Sequence, residues 1–247
     1  MSAVSKTELI IALDYPSADS ALRLVEQMTD LSVIYKVGFE LFMAEGPDFV
    51  RELIQKHKKR VFLDLKFYDI PNTVQNAVKQ ACELHVDFLT LHLMGGESMA
   101  RVAVAEAKAV THAHHTKLLG VSVLTSFREP EWTDVVNAVS SGFARTVNKQ
   151  SIGASVEGLV SRAENWGVDG VVCSAHELEM VRQVAPRLFL VVPGIRLAET
   201  DTQDQARVMT PEEAAKLGAG AIVMGRPITG AREPRKVVEW VLGRLCQ

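Results

Sequence analysis

RVFLDLKFYDIPNTV, residues 60 to 74, decides the fold. Val61 to Leu65 is apolar apart from Asp64, a run of the kind that fits a pleated strand. It closes on charges: Asp64, Lys66 and then Asp69. Asn72-Thr73 next opens VQNAVKQACEL, whose apolar residues recur at helical spacing. The segment therefore reads as a strand that ends in charged residues and passes straight into a helix.

The same unit recurs along the chain. With 60–66, apolar runs at 8–14, 33–39, 86–93, 117–125, 170–174, 188–194 and 220–225 make eight candidate strands. They are nearly continuous in apolar character, as parallel strands covered on both faces must be. Helical patterns lie between them. Pro16-Ser17 precedes ADSALRLVEQM, and Thr210-Pro211-Glu212-Glu213 puts proline in a first turn. A last helix spans 234–245. The longest connection, 126–169, holds two helical stretches, FREPEWTDVV and ASVEGLVSRAENW. Eight alternating units without a Gly-, Pro- or Ser-rich linker predict an α/β protein, a (β/α)8 TIM barrel, with residues 1–247 as a single catalytic domain.

Composition narrows the function. A net charge of −3 gives no basic surface for nucleic acid. Leu9 to Leu13 is too short for the core of a signal peptide and stops at Asp14. No run has the ~18–20 apolar residues of a membrane span. Cys82, Cys173 and Cys246 are odd in number and lack C-x-x-C spacing, so they read as reduced thiols of a cytoplasmic protein.

In such barrels the chemistry sits where strands end. Asp14, Lys36, Asp64, Lys66, Asp69, Arg196 and Arg226 are the charges found there. Asp64 and Lys66 are two apart and share a strand face, and Lys36 takes the corresponding place on the neighbouring strand. Two ammonium groups and two carboxylates, Asp64 and Asp69, are expected near one point. A purely structural ion-pair network would be a costly way to fasten strand ends. Carboxylates flanking Lys66 favour its ammonium form. That disfavours a Schiff-base aldolase, which needs a neutral amine, and favours a proton donor beside developing negative charge. The interleaved lysines would also repel a divalent metal, so no metal is expected.

A second group of residues suits phosphate. PGIR (193–196) and MGRPIT (224–229) end the seventh and eighth strands. Gly194 and Gly225 let backbone N–H groups approach an anion, while Arg196 and Arg226 add charge. Gln205, in the loop between, can donate an amide hydrogen. Two histidine features are set aside. His112, His114 and His115 read as a solvated helix end, and His92 as a strand-end hydrogen-bonding group. Ser174 and His176 read as the start of a helix, because no G-x-S-x-G surrounds them.

ALDYP (12–16), YKVGFELF (35–42), FLDLKFYDIPNTV (62–74), LTLHLMGG (89–96), VLTS (123–126), VVPGIR (191–196), DQARVMTP (204–211) and MGRPIT (224–229) resemble the orotidine 5′-phosphate decarboxylases of bacteria, in order and over nearly the whole chain. D-x-K-x-x-D is shared with sugar-phosphate relatives; D-x-K-x-x-D-I-P-N-T is far more specific. Tyr68 stands where bacterial members often have His, and Met94 where a smaller residue is common. The resemblance implies conversion of orotidine 5′-monophosphate to uridine 5′-monophosphate, the last step of de novo pyrimidine synthesis, without metal or organic cofactor. It implies that Lys66 protonates C6 of the pyrimidine and that Asp64 lies beside the departing carboxylate. Asp14 and Lys36 would hold the ribose, and Thr125 the base. Arg196, Gln205, Gly225 and Arg226 would hold the phosphate. It further implies a homodimer in which Asp69 and Thr73 reach into the partner's site. Two rival readings keep the barrel. One is a magnesium-dependent 3-keto-gulonate 6-phosphate decarboxylase or related sugar-phosphate lyase, which differs where this chain has Ile70-Pro71. The other is a non-enzymatic phosphosugar-binding regulatory barrel, expected to have lost Lys66 or an aspartate.

Overall fold

A computed structural model describes residues 7–110, 115–140, 151–197 and 209–245. Eight parallel strands close on themselves in chain order. They are β1 (Glu8–Ala12), β2 (Ile34–Val37), β3 (Arg60–Phe67), β4 (Phe88–His92), β5 (Lys117–Val121), β6 (Gly170–Val172), β7 (Phe189–Pro193) and β8 (Ala221–Met224). Each falls inside or within a residue of its expected run. Closure is direct, with Ile11 beside Met224 and Leu9 beside Ile222.

Helices α1 (Ala18–Glu26), α2 (Phe39–Arg51), α3 (Pro71–Glu83), α4 (Gly96–Ala109), α5 (Glu129–Ser140), α6 (Ile152–Trp166), α7 (Leu178–Val184), α8 (Pro211–Lys216), α9 (Arg226–Thr229) and α10 (Pro234–Leu245) run around the barrel. The 126–169 connection does carry two helices, α5 and α6. Thr210 caps α8 through a reciprocal box with Glu213, which satisfies otherwise orphaned N–H groups. Helix α3 begins at Pro71, before the Asn72-Thr73 start expected from sequence. Proline suits a first helical position because its missing N–H would have no partner there. Helix α2 is broken at Gly46 (φ 68°), just before Pro47, since proline cannot continue the hydrogen-bond ladder.

Alternation of side chains divides the core in two. Ile10, Ile34, Phe62, Phe88, Leu119, Val191 and Val223 fill the barrel. Leu9, Ile11, Tyr35, Val61, Leu63, Leu89 and their neighbours pack outward against the helices. The lower end is plugged by aromatic rings: Phe88 stacks on Phe189 with centroids 5.5 Å apart. A Cβ on Gly220 would lie 2.4 Å from the Phe189 ring, so only glycine leaves room for the plug. Cys82 and Cys173 are buried free thiols. Burial pushes the Cys173 thiol up to about 12 and raises that of Cys82, which leaves both unreactive. Cys246 lies outside the described residues. Among the described residues, no helix is long and apolar enough to cross a membrane.

Candidate active site

The upper ends of β1, β2 and β3 bring the first charged group together. Lys36 pairs with Phe62 in register, so Asp64 stands one inward position above Phe62 and next to Lys36. Lys36 Nζ lies 3.0 Å from Asp14 Oδ1 and 4.0 Å from Asp64 Oδ2. Lys66 Nζ lies 2.9 Å from both oxygens of Asp64. Asp64 and Lys36 side chains are only 14% and 13% exposed, so these charges are held largely away from water. Two ammonium groups and two carboxylates leave the cluster formally neutral. At an effective dielectric of ~20, a pair at the Lys66–Asp64 distance attracts by ~6 kcal/mol before desolvation. Lys66 therefore rests on Asp64 until another anion competes for it.

Local backbone shapes this geometry. Gly38 has only hydrogen where a Cβ would stand 3.1 Å from Lys36 Nζ, which gives the ammonium room to reach Asp14. Lys66 has φ 44°, a left-handed conformation that is strained for a residue with a Cβ. It sits in an irregularity of β3: Leu63 pairs with Leu89, but Phe67 pairs with Leu91. Thr90, facing that irregularity, accepts the Lys66 backbone N–H and donates to Asp64 Oδ1, both at 2.9 Å. The sequence by itself does not single out Thr90. Its only signal there is a polar residue inside the apolar strand FLTLH.

A cavity of about 160 Å³ opens beside the cluster. Lys36, Asp64 and Lys66 form one wall, Phe62 the floor, and Val121, Val123, Val172, Pro193 and Val223 the facing wall. Thr125 and Leu124 complete the lining. Pockets for larger ligands are typically ~300–1,000 Å³, so this space suits one flat ring with a charged edge. The rest of a larger ligand must extend outward along the strand ends.

That direction leads to the proposed phosphate loops. Gly225, which follows β8, lies against Asp14: a Cβ there would be 3.5 Å from Asp14 Oδ2. Arg226 begins α9 and is exposed. Gly194 follows β7 with φ 79°, and Arg196 N–H donates to Met209 O at 3.2 Å. Arg196 and Arg226 make no ion pair among the described residues. The Arg196–Met209 bond closes the neck of the loop containing Gln205, which lies outside the described residues.

One expected member of the cluster is elsewhere. Asp69 is exposed, and its carboxylate accepts the adjacent Ile70 N–H at 2.6 Å. Asp14 is the second carboxylate in its place. A strand's periodicity stops at Phe67, so spacing alone could not fix where the Asp69 side chain turns. Thr73 is likewise exposed on the first turn of α3. His92 behaves as a strand-end group: its Nδ1 accepts the Met94 N–H at 3.4 Å, and its ring lies 5.5 Å from that of Tyr68. Burial and then the Lys66 charge lower its proton affinity, so it stays neutral near pH 7. His115 pairs with Asp169 at 3.4 Å, while His112 and His114 lie outside the described residues.

Residues 7–241 match the model of the orotidine 5′-phosphate decarboxylase / HUMPS family. An orotidine 5′-phosphate decarboxylase of Lawsonia intracellularis is 39% identical over 240 residues, covering 96% of this chain and 99% of that one. One of Legionella pneumophila strain Corby is 43% identical over 237 residues, covering 95% and 97%. The crystal structure of orotidine 5′-phosphate decarboxylase from Lactobacillus acidophilus superposes with a TM-score of 0.81 at 32% identity, over 98% of this chain and all of that one. Barrel closure, the charged strand ends and this similarity along almost the full length lead to one conclusion: the chain belongs to the orotidine 5′-phosphate decarboxylase / HUMPS family.

Proposed function

We propose that this protein decarboxylates orotidine 5′-monophosphate to uridine 5′-monophosphate, the final step of pyrimidine nucleotide synthesis, as a single-domain cytoplasmic carboxy-lyase that needs no metal or organic cofactor. The observation that carries this reading is Lys66 Nζ resting on Asp64 at the edge of a ring-sized cavity. The curated relatives carry the same activity in their names.

The chemistry follows from the charges. The bond from C6 to the carboxylate breaks, carbon dioxide leaves, and the electron pair stays on C6. A fixed ammonium stabilises that pair more than it stabilises the substrate, which is the condition for catalysis. Lys66 then gives C6 a proton. Asp64 faces the substrate carboxylate and repels it, but not the product; it also holds the ammonium in place. Asp14 and Lys36 bind the ribose, Thr125 the base, and Arg196, Gln205, Gly225 and Arg226 the phosphate. Binding energy from that remote phosphate holds the ring against Lys66. Arg226→Ala should therefore raise KM by roughly 10- to 100-fold, the value of a charge-assisted hydrogen bond, and leave kcat within about threefold. An unchanged KM would place the phosphate elsewhere.

The working form is a homodimer with Asp69 and Thr73 lent across the interface. Supporting this, Asp69 turns onto its own Ile70 N–H, and both Asp69 and Thr73 are exposed. Phe39, Met43, Tyr68, Ile70 and Met94 are all exposed around the loops after β2, β3 and β4. A group of this kind on one face marks an interaction surface.

Magnesium-dependent sugar-phosphate chemistry is the competing activity within the barrel. Against it, Asp14 and Asp64 each already hold a lysine ammonium at 3.0 Å or less. Mixing the protein with orotidine 5′-monophosphate and excess EDTA, then following the ultraviolet change, separates the two. Full activity in EDTA is expected; activity lost in EDTA and restored by magnesium would favour the rival.

A further inference from the structure

We propose that Thr90 is a positioning residue that fixes both the backbone and the ammonium of Lys66. This rests on the reading of Lys66 as the proton donor. Four residue steps on β3, from Leu63 to Phe67, face two on β4, from Leu89 to Leu91. The extra length lifts Lys66 out of the regular ladder. The Thr90 hydroxyl takes the Lys66 N–H at 2.9 Å. A hydroxyl has one proton to donate, and Thr90 sends it to Asp64 Oδ1 at 2.9 Å. Asp64 in turn holds Lys66 Nζ at 2.9 Å through both oxygens.

The result is a closed circuit. It runs from the Lys66 N–H to Thr90, from Thr90 to Asp64, and from Asp64 back to the Lys66 ammonium. The backbone N–H and the ammonium of one residue are thus referred to a single hydroxyl. Thr90 is 0% exposed, so water has no access to substitute for it. Its β-branched side chain has little rotamer freedom. The strained φ of Lys66 persists only where surrounding contacts over-determine it, and this circuit supplies them. Removing the hydroxyl lets the backbone at Lys66 relax and moves the ammonium from its place beside C6. Misplacement by ~1 Å can cost ~10²-fold in rate. The contacts to base, ribose and phosphate do not pass through Thr90, so KM should hold.

Thr90→Val keeps the volume and removes the hydroxyl. Thr90→Ser and Thr90→Ala both lose the methyl and differ only in the hydroxyl, so they form a second comparison if the valine variant does not fold. We expect kcat to fall at least about 10-fold in the Val and Ala variants, with KM within about threefold and thermal unfolding still cooperative. Serine should recover kcat to within about threefold of native. The proposal is overturned if Ala loses less than about 10-fold, if Ser is as slow as Ala, or if KM rises in step with the fall in kcat. Lys66→Ala measured alongside separates the two levels. If that variant turns over normally, the role of Lys66 fails and takes Thr90 with it. If Lys66→Ala is silent while Thr90→Ala matches native, Thr90 alone is dismissed.

Discussion

Mixed in equal amounts, the Lys66→Ala and Asp69→Ala proteins should regain about a quarter of native activity, although each alone is reduced by about 10²-fold or more. Random exchange of subunits makes about half of the dimers mixed. Each mixed dimer has one site with its own Lys66 and a partner's intact Asp69, and one site lacking both. The geometry behind this expectation lies within one chain. Asp14 and Asp64 hold the two lysines, Lys36 and Lys66, whereas Asp69 turns outward onto its own Ile70 N–H. Ile70 and Tyr68 beside it are 66% and 60% exposed, which is unusual for large apolar residues with no partner to cover them. Subunit exchange is checked with two affinity tags. A mixture in which tagged mixed dimers form but activity stays at the level of its parts would contradict the shared site.

Much of this was legible in the sequence, for reasons that differ between elements. Each of the eight strands is a short apolar run that must be covered on both faces, and such runs stand out whatever they pack against. Thr210 and Glu213 are a local signal for the start of α8, because a capping box depends on spacing alone. Asp64 and Lys66 stand out because strand interiors otherwise exclude such charges. The break in α2 and the β3 irregularity carry no such mark. Pro47 marks the first only once Phe39–Arg51 is known to be helical. The second is a mismatch between two strands, and neither carries it by itself. Asp14 reads from the sequence as a strand-end charge, but its role as the second carboxylate of the cluster depends on the reach of Lys36. Thr90 was invisible for the same reason as the β3 irregularity. A threonine in a strand is ordinary until its hydroxyl meets a backbone N–H across an irregular register.

Replacement of Lys66 has the largest expected effect. Two contributions end with its side chain: stabilisation of the electron pair on C6, and the proton that quenches it. General-acid catalysis is worth ~10²–10⁴-fold, and a preorganised charge ~10²–10³-fold. Lys66→Ala should therefore lower kcat by about 10⁴-fold or more. Binding needs a probe without the carboxylate, because Asp64 loses a counterion in the variant and would repel the substrate more strongly. Uridine 5′-monophosphate serves. Lys36, 4.0 Å from Asp64, and Thr90 remain to hold that carboxylate, so the ring pocket and phosphate loops should stay formed. The decisive measurement is turnover of orotidine 5′-monophosphate by Lys66→Ala, paired with calorimetric titration by uridine 5′-monophosphate. The expected result is a dissociation constant within about threefold of native and a kcat reduced by about 10⁴-fold or more. Turnover within about tenfold of native, in a variant that binds normally, would contradict it.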